Sequence, residues 1–400
     1  MNDRRRLLAI MDVLGESDGE HVERSAQSLA DDPWPRLDAI LVRHHATPAF
    51  LSRLHDRGWL DRFAPEAVAA CRKRSQAVLA RNLGLLALRD GATVALAKAG
   101  IDVLVFKGAA LLDRVFPSPG YRPASDVDLL VRPADARAAV QVLASLDLAP
   151  ARPDAAELMA SGRLSEVTLL NETGRHAVDL HVAVKESSAA ATLSLTAALW
   201  RDARSVGPHV FEPAPEAHLL YLVAHGVLQH TVHQARQFLD WHHPLQHWQA
   251  RPEWSWPRAL ELARELDLAE ALDCVLVATD RVLGTRYADA RGLTVDDQVT
   301  IRQLTADSLV EVFLSDLTDD LKVLGKMSEY WEHRDETASW RRFARRGAMV
   351  GSGATGLDGA PSVYSRRLRL AVRIRAAICL LRSPRTAWRL FRLHESLRRP

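Results

Sequence analysis

The chain of 400 residues reads as an α/β protein of the α+β type: a small mixed sheet wrapped by helices, with a helical C-terminal region. Three observations carry that expectation. An apolar run, Val103-Leu104-Val105-Phe106, stops at Lys107-Gly108 and gives way to Ala109, Ala110, Leu111 and Leu112 at helical spacing. A second short run, Ser125 to Val131, carries aspartates at 126 and 128. Two alternating runs, Val167 to Leu170 and His176 to Val182, flank the turn Asn171-Glu172-Thr173-Gly174, which is a hairpin signal.

Composition is that of an ordinary globular protein. With 48% hydrophobic and 26% charged residues the chain is not disordered, and its length suits two or three domains. No apolar run approaches the roughly 18 residues of a membrane span, and Met1-Asn2-Asp3-Arg4 leads into no signal peptide, so a cytoplasmic protein is expected. Cys71, Cys274 and Cys379 are far apart and odd in number, which suits buried thiols rather than a disulfide or zinc framework.

Taken in order, residues 1–100 read as a helical layer. Pro65 suits a first helical turn and Gly100 a C-terminal cap, so one long helix is expected between them, with Gly91 the place where it would break. The adjacent His44 and His45 read as surface residues. Residues 101–187 hold the strands. After Arg132-Pro133 a helix is expected to about Leu146 with Ala134, Ala138, Val142 and Leu143 inward, followed by a polar, helix-compatible stretch. Residues 188–346 read as a helical domain that closes over a cleft, with no further strand. It includes helices at Ala259 to Leu268 and Thr300 to Leu324, and tryptophans 254, 256, 331 and 340 that suit packing. Glu311, Asp316, Asp319 and Asp320 suit a solvated face. Residues 347–362 form a Gly-rich linker.

Residues 363–400 form a basic tail that holds eleven arginines and one acid, Glu395. The rest of the chain is therefore net acidic. The tail suits either docking on that acidic body or an anionic partner such as nucleic acid, a lipid surface or a leader peptide.

The chemistry gathers at residues 101–131. Side chains alternate along a strand, so Asp126 and Asp128 share a face opposite Val127 and Leu129. Two carboxylates on a half-buried strand repel each other and resist desolvation. A divalent cation bridging them relieves both costs; the plainer alternative is a strand end whose carboxylates face water or cap a helix. On the later run Asp179 and His181 share a face opposite Val178, Leu180 and Val182. Gly108 opens a helix where a phosphate can approach the backbone. Lys107 suits a phosphate or a partner for Asp126 or Asp128, Arg122 suits bidentate contact with phosphate oxygens, and Ser125 suits a local backbone hydrogen bond. Between Glu216 and His247 lie seven histidines: His218, His225, His230, His233, His242, His243 and His247. They show no HExxH spacing; His225 with Gln229 and Arg236 with Asp240 are neighbours across one helical turn.

The pattern Lys107-Gly108-Ala109-Ala110-Leu111, a loop with Tyr121-Arg122-Pro123, and Asp126-Val127-Asp128-Leu129-Leu130-Val131 resembles the bacterial "uncharacterised nucleotidyltransferase" family of the DNA polymerase beta-like superfamily. The core of the resemblance covers roughly residues 75–185, with weaker echoes to 245. It departs from the superfamily's usual Gly-Ser turn, which removes a hydroxyl that often touches phosphates.

The resemblance implies a metal-dependent enzyme that moves a nucleoside monophosphate, AMP from ATP, onto a hydroxyl or phosphate of a small molecule, peptide or protein. It implies two Mg²⁺ or Mn²⁺ ions on Asp126 and Asp128, with Asp179 as the third carboxylate, on the catalytic metal. Lys107, Gly108, Arg122, Ser125, His225 and Arg236 would line the nucleotide site, with Asp240 orienting Arg236; His181 would be either part of the site or a satisfied structural histidine. The competing expectations are a catalytically idle nucleotide- or peptide-binding adaptor and a toxin-like enzyme modifying RNA or protein.

Overall fold

The computed structural model describes residues 1–172, 174, 176–184, 189–229, 234–301, 310, 313 and 314. The linker, the basic tail, most of the helix expected from 300 to 324, tryptophans 331 and 340, the acidic set from Glu311, Cys379, His230 and His233 lie outside these residues.

The chain opens with four short helices: α1 (Asp3–Leu14), α2 (Glu20–Ala30), α3 (Trp34–Arg43) and α4 (Thr47–Asp56). Asn2 caps the first by accepting from the Arg5 amide at 2.9 Å. The long helix α5 (Pro65–Lys98) follows, with Pro in its first turn. It runs through Gly91 without a break and stops where Gly100 takes a φ of 72° and the Ile101 amide reaches back to the Leu96 carbonyl.

Next come β1 (Val103–Phe106), α6 (Lys107–Leu111), β2 (Val127–Val131), α7 (Ala136–Ala144), β3 (Leu148–Pro150), α8 (Ala155–Ala160), β4 (Glu166–Asn171) and β5 (Ala177–His181). Then α9 (Ala189–Arg201) precedes β6 (Arg204–Gly207) and β7 (Val210–Glu212). The remaining helices are α10 (Pro215–Ala224), a π-helical turn at His225–Gln229, α11 (Ala235–Gln249), α12 (Trp256–Glu265), α13 (Ala269–Leu283), α14 (Tyr287–Arg291) and α15 (Val295–Ile301).

The sheet order is β3-β4-β5-β2-β1-β7-β6. β1 runs antiparallel to β2 and parallel to β7, β2 runs parallel to β5, and β4 and β5 form the expected hairpin. Val103, Val105, Val127, Leu129, Val131, Val178 and Leu180 pack on one face, against α5, α7 and α8. The opposite face presents Leu104, Phe106 and Leu130 to a second core built from α1–α4 and α10–α14. Alternation therefore sends Asp128, Asp179 and His181 toward the second core, under α10.

Several expectations need correction. Residues beyond 188 are not helical throughout: β6 and β7 extend the sheet, β7 by pairing with the edge of β1. Three- and four-residue strands carry too little alternation to be read locally; neighbouring backbone supplies their hydrogen bonds. The polar stretch after Leu146 likewise holds an edge strand, β3, before α8. On α7 the buried set is Ala136, Ala139, Val140 and Leu143, since a 3₁₀ turn at Pro133–Asp135 resets the helical phase and leaves Ala134 and Ala138 exposed. His44 is buried: its Nδ1 accepts from the Ala235 amide at 3.3 Å, which ties α3 to the start of α11. Cys71 and Cys274 are buried thiols.

Candidate active site

The site begins where β1 ends. Lys107 adopts a φ of 60°, the left-handed region that L side chains disfavour. Its amide donates to Nε2 of His218 on α10 at 3.3 Å. Its ammonium folds back across the sheet to Asp128 Oδ1 at 2.9 Å and lies 5.5 and 5.7 Å from the ring centres of Phe106 and Tyr221. His218 is fully packed against Trp248, and burial pushes its pKa down to about 3, so it stays a neutral acceptor.

The next residue must be small for a reason that involves Arg122. A Cβ on Gly108 would stand 3.0 Å from Arg122 Nη1. Arg122 is buried, with Nε 2.6 Å from Asp240 Oδ1 and Nη2 donating to Asp240 Oδ2 at 2.7 Å. Its loop is stapled to α5 by Asn82, whose amide nitrogen donates to the carbonyls of Pro119 and Arg122 at 2.6 and 2.7 Å. The Asn82 oxygen accepts from the Ala124 amide at 3.2 Å.

The carboxylates come together through strand register. Asp128 on β2 is the direct partner of Asp179 on the parallel β5, and Asp126 precedes Asp128 on the same face. Asp128 is only 3% exposed, and its Oδ1 also contacts His181 Nε2 at 3.1 Å. Burial alone would raise the Asp128 carboxyl, but the Lys107 charge and the His181 hydrogen bond outweigh it and hold it well below the usual range. Burial alone would lower Lys107; Asp128 and Tyr221 reverse that and hold the ammonium above its ordinary value.

Among the described residues Asp126 and Asp179 form no close ion pair, and Lys107 and His181 act on them only as weaker, more distant charges. Burial, with Asp128's charge, raises Asp126 against the hydrogen bond it accepts from Ser125 Oγ at 2.9 Å. Burial also raises Asp179, opposed by a hydrogen bond from Thr168 and reinforced by Asp128. Asp179 Oδ1 is buried and has no hydrogen-bond partner among the described residues. Ser125 thus binds a side chain and not the backbone. Among the described residues no three His, Cys, Asp or Glu side chains already form a metal cage, and Lys107 pairs with Asp128.

α10 and α11 supply the opposite wall. His225 opens the π-helical turn and stacks on Tyr221, with ring centres 5.6 Å apart, one ring removed from Lys107. Arg236 is half-buried at the start of α11. Burial and the Arg122 charge lower its pKa, while Asp240 and Asp126 act in the other sense. Asp240 does not chiefly orient Arg236, which stands 4.0 Å away; it pairs with Arg122. Three residues of this architecture escaped sequence reasoning: Asn82, His218 and Tyr221. His218 and Tyr221 sit on the apolar α10, where a lone polar or aromatic residue looks like packing, and Asn82 sits on the mixed α5, where one more polar residue looks like surface. His218 was visible only as one histidine among seven.

Residues 30–284 match the family described as "Uncharacterised nucleotidyltransferase", a span reaching from the helical layer through the sheet to the end of α13. No curated protein and no solved structure matches the chain significantly. The match covers more than half of the sequence and includes every residue of the site, so the chain belongs to this nucleotidyltransferase family and is a transferase of nucleotidyl groups.

Proposed function

We propose that the enzyme moves a nucleoside monophosphate, AMP from ATP, onto a hydroxyl or phosphate of a small molecule, peptide or protein, and that it needs Mg²⁺ or Mn²⁺. The observation that carries this reading is the β2–β5 register, which seats Asp179 beside Asp128 with Asp126 on the same face. The orphaned Oδ1 of Asp179 and the raised pKa values of Asp126 and Asp179 describe carboxylates short of positive charge, which suits a hard divalent cation. Asp126 and Asp179 would hold it, with Asp128 between them. Bound there, such a cation would offset charge on the triphosphate and acidify the acceptor hydroxyl.

The protein groups do the positioning. Arg122, fixed beside Gly108, and Arg236, beside Asp240 with its Nε buried and without a hydrogen-bond partner among the described residues, would hold phosphate oxygens. The acceptor oxygen attacks the α-phosphorus, the bond to the β-phosphate breaks, and pyrophosphate leaves. Asp179, with its raised pKa, takes the acceptor's proton. Catalysis in this scheme is mostly alignment and charge neutralisation.

The test is calorimetry with each of the four nucleoside triphosphates and Mg²⁺, comparing the wild type with Asp126→Asn/Asp179→Asn. One nucleotide should bind only with metal, and the double variant should lose that binding. Metal-independent binding, or none, would sink the proposed metal-dependent transfer. His218 offers a second check. His218→Leu removes the acceptor of the Lys107 amide and should weaken nucleotide binding about tenfold, on the order of one lost hydrogen bond. His218→Gln retains an acceptor and should keep affinity near wild type. Equal affinities for the two variants would reduce His218 to packing.

A further inference from the structure

We propose that Lys107 is a resident cation of the active site, and that the three-aspartate site therefore takes one divalent ion instead of two. The inference rests on the transferase reading above and narrows it.

The ammonium of Lys107 is held by one carboxylate and two aromatic rings. Its Nζ lies 2.9 Å from Asp128 Oδ1, and the ring faces of Phe106 and Tyr221 flank it. The backbone that carries it is locked in the left-handed region, at φ 60°, by the hydrogen bond from its own amide to His218. A lysine that merely waits for a phosphate needs none of this. Lysine side chains are long and freely rotating, and a loose one serves a phosphate as a point charge. Here a disfavoured backbone conformation, a neutral buried histidine and two aromatic rings fix one ammonium against one carboxylate.

Charge counting gives the stoichiometry. Asp126, Asp128 and Asp179 contribute three negative charges, and Lys107 cancels the one on Asp128. The two that remain are those on Asp126 and Asp179, and the Asp179 Oδ1 atom is buried and unpartnered. One divalent ion balances them. A second would leave two positive charges uncompensated before any nucleotide arrives. It would also compete for Asp128 Oδ1, which already meets both Lys107 and His181. The count covers the groups on the sheet; Arg122 and Arg236 stand beside Asp240, at 2.6 and 4.0 Å, and are assigned to it and to the incoming phosphates, although Arg236 also feels the Asp126 charge.

Electron paramagnetic resonance of the full chain with Mn²⁺ tests this, with the ion alone and with α,β-methylene analogues of the four nucleoside triphosphates. Two Mn²⁺ ions about 4 Å apart, as in two-metal sites, give an exchange-coupled spectrum, whereas a single ion gives an isolated six-line signal. Wild type should show the isolated signal under every condition. Lys107→Met should acquire the coupled signal with nucleotide analogue, because Asp128 is freed. Lys107→Arg, which keeps the charge, should resemble wild type and guards against a variant that fails to fold. A coupled pair in the wild type overturns the one-ion site and leaves the transferase reading standing. Absence of bound Mn²⁺ in wild type under all conditions overturns both.

Discussion

Asp128→Asn is expected to abolish nucleotide transfer and to cost about 3 to 5 kcal/mol of folding free energy, the range for removing one partner of a buried ion pair. Its carboxylate is the counter-ion of Lys107, whose side chain is 16% exposed, so the substitution strands a buried ammonium beside a neutral amide. Asp126→Asn should be equally inactive and yet no less stable than wild type, because burial and Asp128 already penalise the charged form of Asp126. Urea unfolding at neutral pH, run beside pyrophosphate release, separates the two effects. A similar stability loss in both variants would refute this division of roles.

The same division sets the pH dependence of stability. The folded-state value of Asp128 lies below its unfolded value near 4, so its contribution is complete above about pH 4 and is lost as pH falls through the folded value. Lys107 is held above its unfolded value near 10.4, so its contribution is complete below that and is lost only as pH rises past the folded value. The pair thus supports the fold evenly between about pH 4 and 10. Asp126 and Asp179 act oppositely: with raised folded values, they favour the fold below about pH 4 and oppose it as pH climbs through those values.

Arg122→Met is the second large effect, with a stability loss of about 2 to 3 kcal/mol and at least tenfold weaker nucleotide binding. The estimate sits below the full buried-pair penalty because Asp240 is 19% exposed and keeps Arg236 at 4.0 Å. Arg122→Lys should not rescue it. The two contacts to Asp240 use the planar fork of a guanidinium, and a lysine offers one ammonium in its place. A double-mutant cycle with Asp240→Asn reads the coupling directly. Additive losses would mean that the pair does not act as a unit.

How much of this was legible depends on the range of the interaction. Alternation along single strands was enough to put Asp126 and Asp128 on one face, and Asp179 and His181 on one face of a hairpin strand. The glycine after Lys107 marked the strand-to-helix junction, and Pro65 and Gly100 marked the ends of α5. The sequence could not say that Gly108 makes room for Arg122, since that contact depends on a loop held by Asn82 from another helix. It also favoured the wrong partner for Asp240. Arg236 is its neighbour across one helical turn, but Arg122, 118 positions away, has the better geometry.

By itself, then, the sequence determined the four strands β1, β2, β4 and β5, the turn and the faces their carboxylates occupy, because each follows from the short period of a backbone element. Only the tertiary structure decided that β5 lies parallel beside β2 and so seats Asp179 against Asp128, that β7 closes onto β1, and that Lys107 is pinned by His218 and Tyr221. Those outcomes depend on packing two cores against opposite faces of one sheet, and burial there turns a lysine that could have faced solvent into the counter-ion of an aspartate.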